Sequence, residues 1–252
     1  MQKTMNLNEL KISTDSEPID LLDNSVRTKS PNFEKVEVYF RELETNLIDK
    51  IKEHQEGFIF GSIAWLTSFK ILDALAECDN VQIVVQKEDF LRPDLNVQDK
   101  NDWKVKLRKK YENLRFCHDR YDMRYPINKL SILGDPSVDP VRCVGNHNRD
   151  KKSAFPRAHN KFLVFCESIK DSTEETRRNQ EIIYKPVSAW TGSFNLTWNA
   201  VNSFENAVYF EDKTGDNPII SSFLNEHHQI FALSEKIDWE TDWIEPEFRI
   251  GT

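Results

Sequence analysis

Apolar positions change their spacing several times along the chain, and these changes predict alternating helices and strands. From Phe33 to Ile51 apolar residues recur at steps of three and four, which predicts an amphipathic helix. Short apolar runs at 57–62 and 81–86 predict buried strands, and the segment 67–78 between them has the pattern of a helix. A strand–helix–strand succession of this kind indicates parallel pairing within an α/β fold.

The second half of the chain continues to alternate between helical and extended patterns. A basic helix is predicted over 98–117, with Trp103 on its inner side. Another helix is predicted over 217–235, and Pro218 suits its first turn. Further strands are predicted at 129–134, 141–145, 159–165, 182–190 and 204–210.

Polar and charged stretches divide the chain into segments. Residues 1–30 are polar and aperiodic and are interpreted as an N-terminal arm, so that the main domain covers 31–235. Within this domain the charged segment 167–181 lacks apolar periodicity and is interpreted as a peripheral insertion. The tail 236–252 is acidic but carries Trp239 and other aromatic residues, which we expect to pack on the parent domain or on a second subunit.

Charge is distributed unevenly, which changes what the composition implies. The formal net charge is −8, yet the segment 101–124 carries eight Lys/Arg against four Asp/Glu and the segment 142–161 carries six against one. A solvated helix face accounts for the first segment at least as well as a function does. The second segment is a candidate surface for a polyanion, because local charge determines what a surface attracts. Its candidate nucleic-acid-binding residues are Arg142, Arg149, Lys151, Lys152 and Arg157.

The sequence lacks the patterns of membrane-spanning, secreted and metal-binding proteins. No apolar run approaches the roughly 18 residues needed to span a bilayer, and the first residues lack the pattern of a signal peptide. We therefore expect a cytoplasmic protein with no membrane partner. The four cysteines are widely spaced and are predicted to be buried thiols. His227 and His228 point apart on a predicted helix and cannot share an ion, so we expect no metal and no cofactor.

Three pieces of the sequence carry candidate chemistry. His159 and Lys161 open an apolar strand two residues apart, so both side chains lie on one face. In the segment TGSFNLT, Ser193 and Asn195 offer a hydroxyl and an amide beside the backbone N–H groups of a helix start, which favours phosphate. Glu205 enters the strand FENAVYF, where a carboxylate needs a partner such as an imidazole N–H.

In combination, these residues resemble the motif of the phospholipase D superfamily, H-x-K followed by G-S-x-N and a later Glu. The matching residues are His159, Lys161, Gly192, Ser193, Asn195 and Glu205. TGSFNLT and ENAV are similar to the small bacterial endonucleases of this superfamily, which carry one motif per chain. The resemblance implies an α-β-α sandwich with a central mixed, largely parallel sheet over 31–235. The chain departs from the family at the Asp that follows the His/Lys pair, because Cys166 occupies that position with Glu167 beside it.

The resemblance also implies a mechanism and an assembly. The imidazole of His159 would attack phosphorus and form a phosphohistidine without a metal. Lys161, Ser193 and Asn195 would hold the non-bridging phosphate oxygens, and Glu205 would fix the tautomer of the imidazole. The reaction needs a second imidazole as acid, whereas the chain supplies one motif. The family's solution, and the expected one here, is a homodimer with the site on its two-fold axis.

Three functions are compatible with these observations. The leading one is a metal-independent phosphodiesterase, a nuclease acting on DNA rather than RNA, because the basic residues beside the motif favour a nucleic-acid substrate. A lipid phosphodiesterase would use the same chemistry but would need a way to engage a bilayer. The third is a catalytically silent nucleic-acid-binding subunit of a larger restriction or defence assembly, with the 1–30 arm and the acidic tail as contact points for a protein partner.

Overall fold

The computed structural model of the chain describes residues 12–13, 21–22, 25, 32–91, 102–116, 139–145, 157–169 and 183–239. The strand predicted at 129–134 lies outside these residues, as do most of the predicted N-terminal arm, residues 170–181 of the predicted insertion and the tail beyond 239. The candidate residues Arg149, Lys151 and Lys152 also lie outside them.

Helices and strands alternate along the described part of the chain. The helices are α1 (Leu43–Glu53), α2 (Phe69–Ala76), α3 (Asp102–Glu112), α4 (Trp198–Val201) and α5 (Pro218–Ala232). The strands are β1 (Ile12–Ser13), β2 (Leu21–Leu22), β3 (Lys35–Tyr39), β4 (Phe58–Ile63), β5 (Asn80–Gln86), β6 (Val141–Val144), β7 (Lys161–Ile169), β8 (Ile183–Gly192), β9 (Ala207–Glu211) and β10 (Glu235–Lys236). None of these helices is long and apolar enough to cross a bilayer.

The strands β3 to β10 form one sheet in the order β10-β6-β5-β4-β7-β8-β9-β3, while β1 and β2 pair with each other. The pairs β4–β5 and β5–β6 are parallel, and α2 makes the crossover from β4 to β5. The pairs β4–β7, β7–β8, β8–β9, β9–β3 and β6–β10 are antiparallel. The predicted mixed sheet is confirmed, but its parallel part is smaller than expected, because strands that follow one another from β7 onward pair as antiparallel neighbours.

The helix predicted from Phe33 to Ile51 is wrong in its first part. Residues Lys35–Tyr39 form β3, which pairs with β9, and α1 begins only at Leu43. The sequence KVEVY also alternates polar and apolar residues and contains two β-branched valines, so it forms a strand where β9 offers a partner. Glu42 has a left-handed backbone with φ of 54°, which separates the strand from the helix.

Helices cover both faces of the sheet, because alternate strand residues point to opposite sides. One face packs against α1, α2 and α3 in a core that includes Ile59, Ile83 and Phe165. The other face packs against α5 through residues such as Phe60 and Val164. The three layers confirm the predicted α-β-α sandwich.

The adjacent histidines of α5 are both buried and face different partners. His227 places its two ring nitrogens 3.0 Å from the carbonyl oxygen of Gly61 and 3.0 Å from Oε1 of Gln82. The Nε2 atom of His228 lies 3.2 Å from the hydroxyl of Tyr184. These contacts hold α5 against the sheet, and in the described residues no group of three His, Cys, Asp or Glu side chains is arranged to hold a metal ion.

Two predicted segment boundaries are shifted by the observed strands. Strand β7 continues through Ile169, so the first residues of the predicted insertion are paired with β8. At the other end, β10 pairs with β6 and Ile237 is buried beside it. Trp239 packs edge-on against Tyr111 of α3 at a centroid distance of 5.9 Å, so the start of the predicted tail docks on the parent domain.

Candidate active site

His159 and Lys161 emerge together where the chain enters β7. The carbonyl of Asn160 accepts a hydrogen bond from the backbone N–H of Ala64 at 2.9 Å, and Lys161 pairs with Ile63 of β4, which fixes the start of the strand. The Nζ atom of Lys161 lies 3.0 Å from Nδ1 of His159 and donates to the carbonyl oxygen of His159 at 3.0 Å. The predicted pair of side chains on one face is therefore observed, with the imidazole exposed.

The pKa values of both side chains are lowered. Partial burial and the positive charges of Lys161 and Arg157 lower the pKa of the His159 imidazole below its usual value. Partial burial also lowers the pKa of Lys161, while the nearby carboxylate of Glu205 opposes that change. At neutral pH the imidazole is consequently neutral and carries a lone pair on one ring nitrogen, as a nucleophile requires.

The segment 193–197 is fixed against the loop that follows β4. The backbone N–H of Leu196 donates to the carbonyl of Trp65 at 3.1 Å, and the N–H groups of Thr67 and Ser68 donate to the carbonyl of Leu196 at 2.8 Å. Trp65 lies edge-on to His159, with ring centroids 6.1 Å apart, so these bonds connect the segment that holds Asn195 to the loop beside His159.

The anion site expected at a helix start stays a prediction. Helix α4 is only four residues long, and the N–H groups of Ser193, Leu196 and Thr197 donate to carbonyls within the protein. The side chain of Asn195 offers a contact instead. Its Oδ1 is buried and accepts no hydrogen bond from the part of the chain that the structure describes. Because Oδ1 is an acceptor, a ligand group that donates a hydrogen bond can satisfy it, whereas a phosphate oxygen would bond to the Nδ2 donor of the same amide.

Glu205 has a different partner from the imidazole that was expected. The hydroxyl of Ser193 donates to Oε2 of Glu205, and the same hydroxyl oxygen accepts from the backbone N–H of Asn206 at 3.1 Å. The charge of Glu205 acts on Lys161, as the pKa of that lysine shows. Ser193 therefore positions Glu205 in this structure, while the predicted roles of Ser193 at a phosphate and of Glu205 at the imidazole stay predictions.

The described basic residues are placed differently from one another. Arg157 lies close enough to lower the pKa of His159 and pairs with Glu88 at 3.5 Å. The guanidinium of Arg142 instead donates to the hydroxyl and the carbonyl of Ser234 at 2.9 and 2.8 Å, at the end of α5. Its donors are engaged in holding the fold together, so the contacts of Arg142 do not support the predicted role in binding nucleic acid.

The departure at Cys166 is structural. Its thiol is fully buried in β7 at an irregular step of the pairing with β8, and burial raises its pKa. Glu167 lies 3.8 Å from the ammonium group of Lys185. No contact joins Cys166 or Glu167 to the side chains of His159 or Lys161 in the described residues.

An aromatic cleft adjoins the site and was not predicted from the sequence. It has a volume of about 680 Å³ and shares Asn195 and Glu205 with the site. Its walls include Trp65, Phe90, Trp103 and Trp198. Trp103 was expected on the inner side of its helix, but it is 37% exposed and faces this cleft. The one signal in the sequence was the position of Trp198 directly after TGSFNLT, which does not distinguish it from a core residue.

Comparison with known proteins gives distant similarities. No family model matches the chain. The uncharacterized protein L381 of Acanthamoeba polyphaga mimivirus is 28% identical over 247 residues, covering 95% of this chain and 76% of that protein. Nuc from Salmonella typhimurium, a phospholipase D family member, has a TM-score of 0.44 and 16% identity over 80% of this chain and 98% of that chain. NucT from Helicobacter pylori has a TM-score of 0.41 and 14% identity over 77% of this chain and 94% of that chain.

Proposed function

We propose that this chain is a metal-independent phosphodiesterase of the phospholipase D type, a nuclease that prefers DNA. The observation that carries the proposal is the emergence of His159 and Lys161 side by side, with the Nζ atom of Lys161 3.0 Å from Nδ1 of His159. A neutral imidazole, an ammonium group and an amide are a nucleophile and two donors for phosphate oxygens. Arg157 beside them adds positive charge for a neighbouring phosphate of the same strand.

In the first step, a ring nitrogen of His159 gives its lone pair to phosphorus. A P–N bond forms as the P–O bond to the leaving strand breaks. The phosphate attracts the ammonium group of Lys161 away from the ring and thereby frees the nitrogen. Lys161 and Asn195 hold the non-bridging oxygens, and their donors provide the compensation of charge that other nucleases obtain from a metal ion.

The leaving oxygen needs a proton, and we assign it to the partner subunit's His159 in a homodimer; the reactive state therefore carries one proton on the pair of imidazoles, taken up from solvent and favoured by the negative phosphate between them. That imidazole then takes a proton from water as the water attacks phosphorus, and the P–N bond breaks to restore neutral His159. In the described residues the other histidines, His54, His227 and His228, lie buried or half-buried among hydrogen-bond partners of the core. His118 and His147 lie outside the described residues, so we assign the second imidazole to a second copy of the chain on the family resemblance, which implies a site on a dimer axis.

The activity is tested with end-labelled single-stranded DNA, duplex DNA and RNA in excess EDTA. We expect cleavage, and loss of at least about a hundredfold in rate for His159→Ala and Lys161→Ala. Lys236→Ala is the matched control, because Lys236 is an exposed lysine on the edge strand β10. Absence of cleavage of every nucleic acid would refute the proposal, and hydrolysis of phosphatidylcholine vesicles instead would reassign the substrate to a lipid.

The shared site is tested by subunit mixing. Wild-type protein and His159→Ala protein are mixed in equal amounts and allowed to exchange subunits. If both imidazoles of a dimer form one site, only wild-type homodimers are active, and activity falls to about a quarter of that of an equal total amount of wild-type protein. A fall to one half, or a monomeric mass for active protein, would refute the shared site.

A further inference from the structure

The cleft beside the site has the size and the surface of a binding site. Its volume of about 680 Å³ lies within the roughly 300–1,000 Å³ typical of sites for small organic groups. Four aromatic rings, those of Trp65, Phe90, Trp103 and Trp198, line it. Trp198 is 66% exposed, whereas Trp190 and Tyr209 are buried in the core. Exposed aromatic surface inside a cleft is typical of a surface that binds a ligand.

The position of the cleft connects it to the phosphate chemistry. Asn195 and Glu205 belong to both the cleft and the site. Trp65 lines the cleft and also lies edge-on to His159 at a centroid distance of 6.1 Å. A group that is covalently joined to a phosphate held by His159 and Lys161 would therefore enter this cleft.

The charge of the cleft indicates which part of a nucleotide it takes. Glu88, Asp89 and Glu205 contribute to its lining, so a second phosphate would be repelled there. A nucleobase is uncharged, stacks on aromatic rings, and carries N–H groups that carboxylates can accept. In a duplex these faces and edges are occupied by stacking and pairing, whereas in a single strand they are free.

We propose that the aromatic cleft binds an unpaired nucleobase next to the phosphate under attack, with Trp198 as a stacking surface, so that the chain selects single-stranded nucleic acid. The inference rests on the proposed nuclease function and deepens it by naming the form of its substrate. Base stacking is tolerant of sequence, because every base has an aromatic face. We accordingly expect preference for a single strand without strong preference for a particular base.

Binding is measured on the full chain with His159→Asn, which keeps the substrate intact. The probes are a short single-stranded DNA, the same sugar–phosphate strand without bases, and the duplex of the first. We expect the strand with bases to bind at least about tenfold more tightly than the abasic strand and to quench tryptophan fluorescence. Adding Trp198→Ala should weaken the base-bearing strand roughly 5- to 100-fold and leave the abasic strand unchanged.

Phe40→Ala is the matched control, because Phe40 is an aromatic residue that is 61% exposed and does not line the cleft. It should leave all three affinities unchanged. Trp103→Ala is a second cleft variant and should weaken the base-bearing strand selectively. Equal binding of the two strands, or an unchanged ratio in both tryptophan variants, would overturn the inference.

Cleavage by the His159-containing protein separates this inference from the proposed function. If the wild type cleaves and Trp198→Ala lowers kcat/KM for the single strand but not for the duplex, both hold. If the wild type cleaves and both tryptophan variants match it on the single strand, the base-binding cleft is wrong and the nuclease function stands. If nothing is cleaved but Trp198→Ala still loses base-dependent binding, the nuclease function is wrong and the cleft remains a base-binding site.

Discussion

Gly192→Ala tests how closely the site depends on the approach of β8 to β9. Gly192 pairs with Ala207, and a Cβ atom added at Gly192 would lie 2.2 Å from the carbonyl oxygen of Asn206 and 2.7 Å from Cα of Ala207. An ordinary contact begins near 3.4 Å, so the two backbones must separate by about 1.2 Å. Ser193 follows directly on one strand and Glu205 lies just before the other, so the separation pulls apart the bond between them.

The expected cost of Gly192→Ala has two parts. Overpacking against backbone lowers the free energy of unfolding by about 1–3 kcal/mol, because neither neighbour is a flexible side-chain end. A displacement of about 1 Å at the site lowers the rate of cleavage by about a hundredfold in protein that is still folded. Urea unfolding gives the first quantity, and cleavage of a labelled oligonucleotide in EDTA, corrected for the folded fraction, gives the second.

Gly57→Ala is a matched control, because its added Cβ atom would press on β7 far from the site residues. A Cβ atom there would lie 2.1 Å from the carbonyl oxygen of Cys166, again a backbone atom. It should lose a similar free energy of unfolding but keep its activity per folded molecule, since Cys166 is remote from Lys161 along the strand. Wild-type cleavage by folded Gly192→Ala, or an equal loss of activity in Gly57→Ala, would refute the reasoning.

Three further predictions concern charge and burial. Arg157→Gln removes a positive charge that lowers the pKa of His159, so the acidic limb of the kcat–pH profile should move to higher pH. An acidic limb at the same pH in both proteins would contradict the proximity of Arg157 to His159. Cys166→Asp puts a carboxylate at a fully buried position and should lower the free energy of unfolding by more than about 3 kcal/mol at pH 7; urea unfolding equal to that of Cys166→Ser would contradict this. His227→Ala removes a hydrogen bond to Gly61 and should cost about 2–4 kcal/mol. Burial lowers the pKa of His227 far below its usual value, so the free energy of unfolding of the wild type should fall as the pH drops below about 6.5. His227→Ala should reduce the slope of the free energy of unfolding against pH by about 1.4 kcal/mol per pH unit. Equal slopes for the two proteins would count against a buried neutral imidazole.

Patterns that depend on near neighbours were predictable from the sequence. The buried strands β4 and β5, the helix α5 with Pro218 in its first turn, and the sandwich they form follow from apolar spacing and from turn residues. The common face of His159 and Lys161 follows from the two-residue period of a strand. The strand β3 was missed because five residues satisfy both periodicities, and the choice depends on β9, which is distant in sequence.

The partners of the site residues were decided only by the tertiary structure. The sequence identifies Glu205 as a carboxylate that needs a partner, and the close approach at Gly192 brings it to the hydroxyl of Ser193. Arg142 has the charge to bind a phosphate, yet the end of α5 engages its donors. Which polar groups pair depends on distances between segments far apart in the chain, and local propensity carries no information on those distances.

The aromatic cleft is the clearest case of a feature that the sequence by itself leaves open. Trp65, Trp103 and Trp198 are separated along the chain, and each could have been a core residue by composition and spacing. The loop after β4, α3 and α4 bring them to one rim, beside Asn195. The sequence by itself determined the layers of the fold and the chemical groups available at the site. Packing between distant segments determined which of those groups meet and which rings stay open to a ligand, because contact between them requires the whole sheet to be in place.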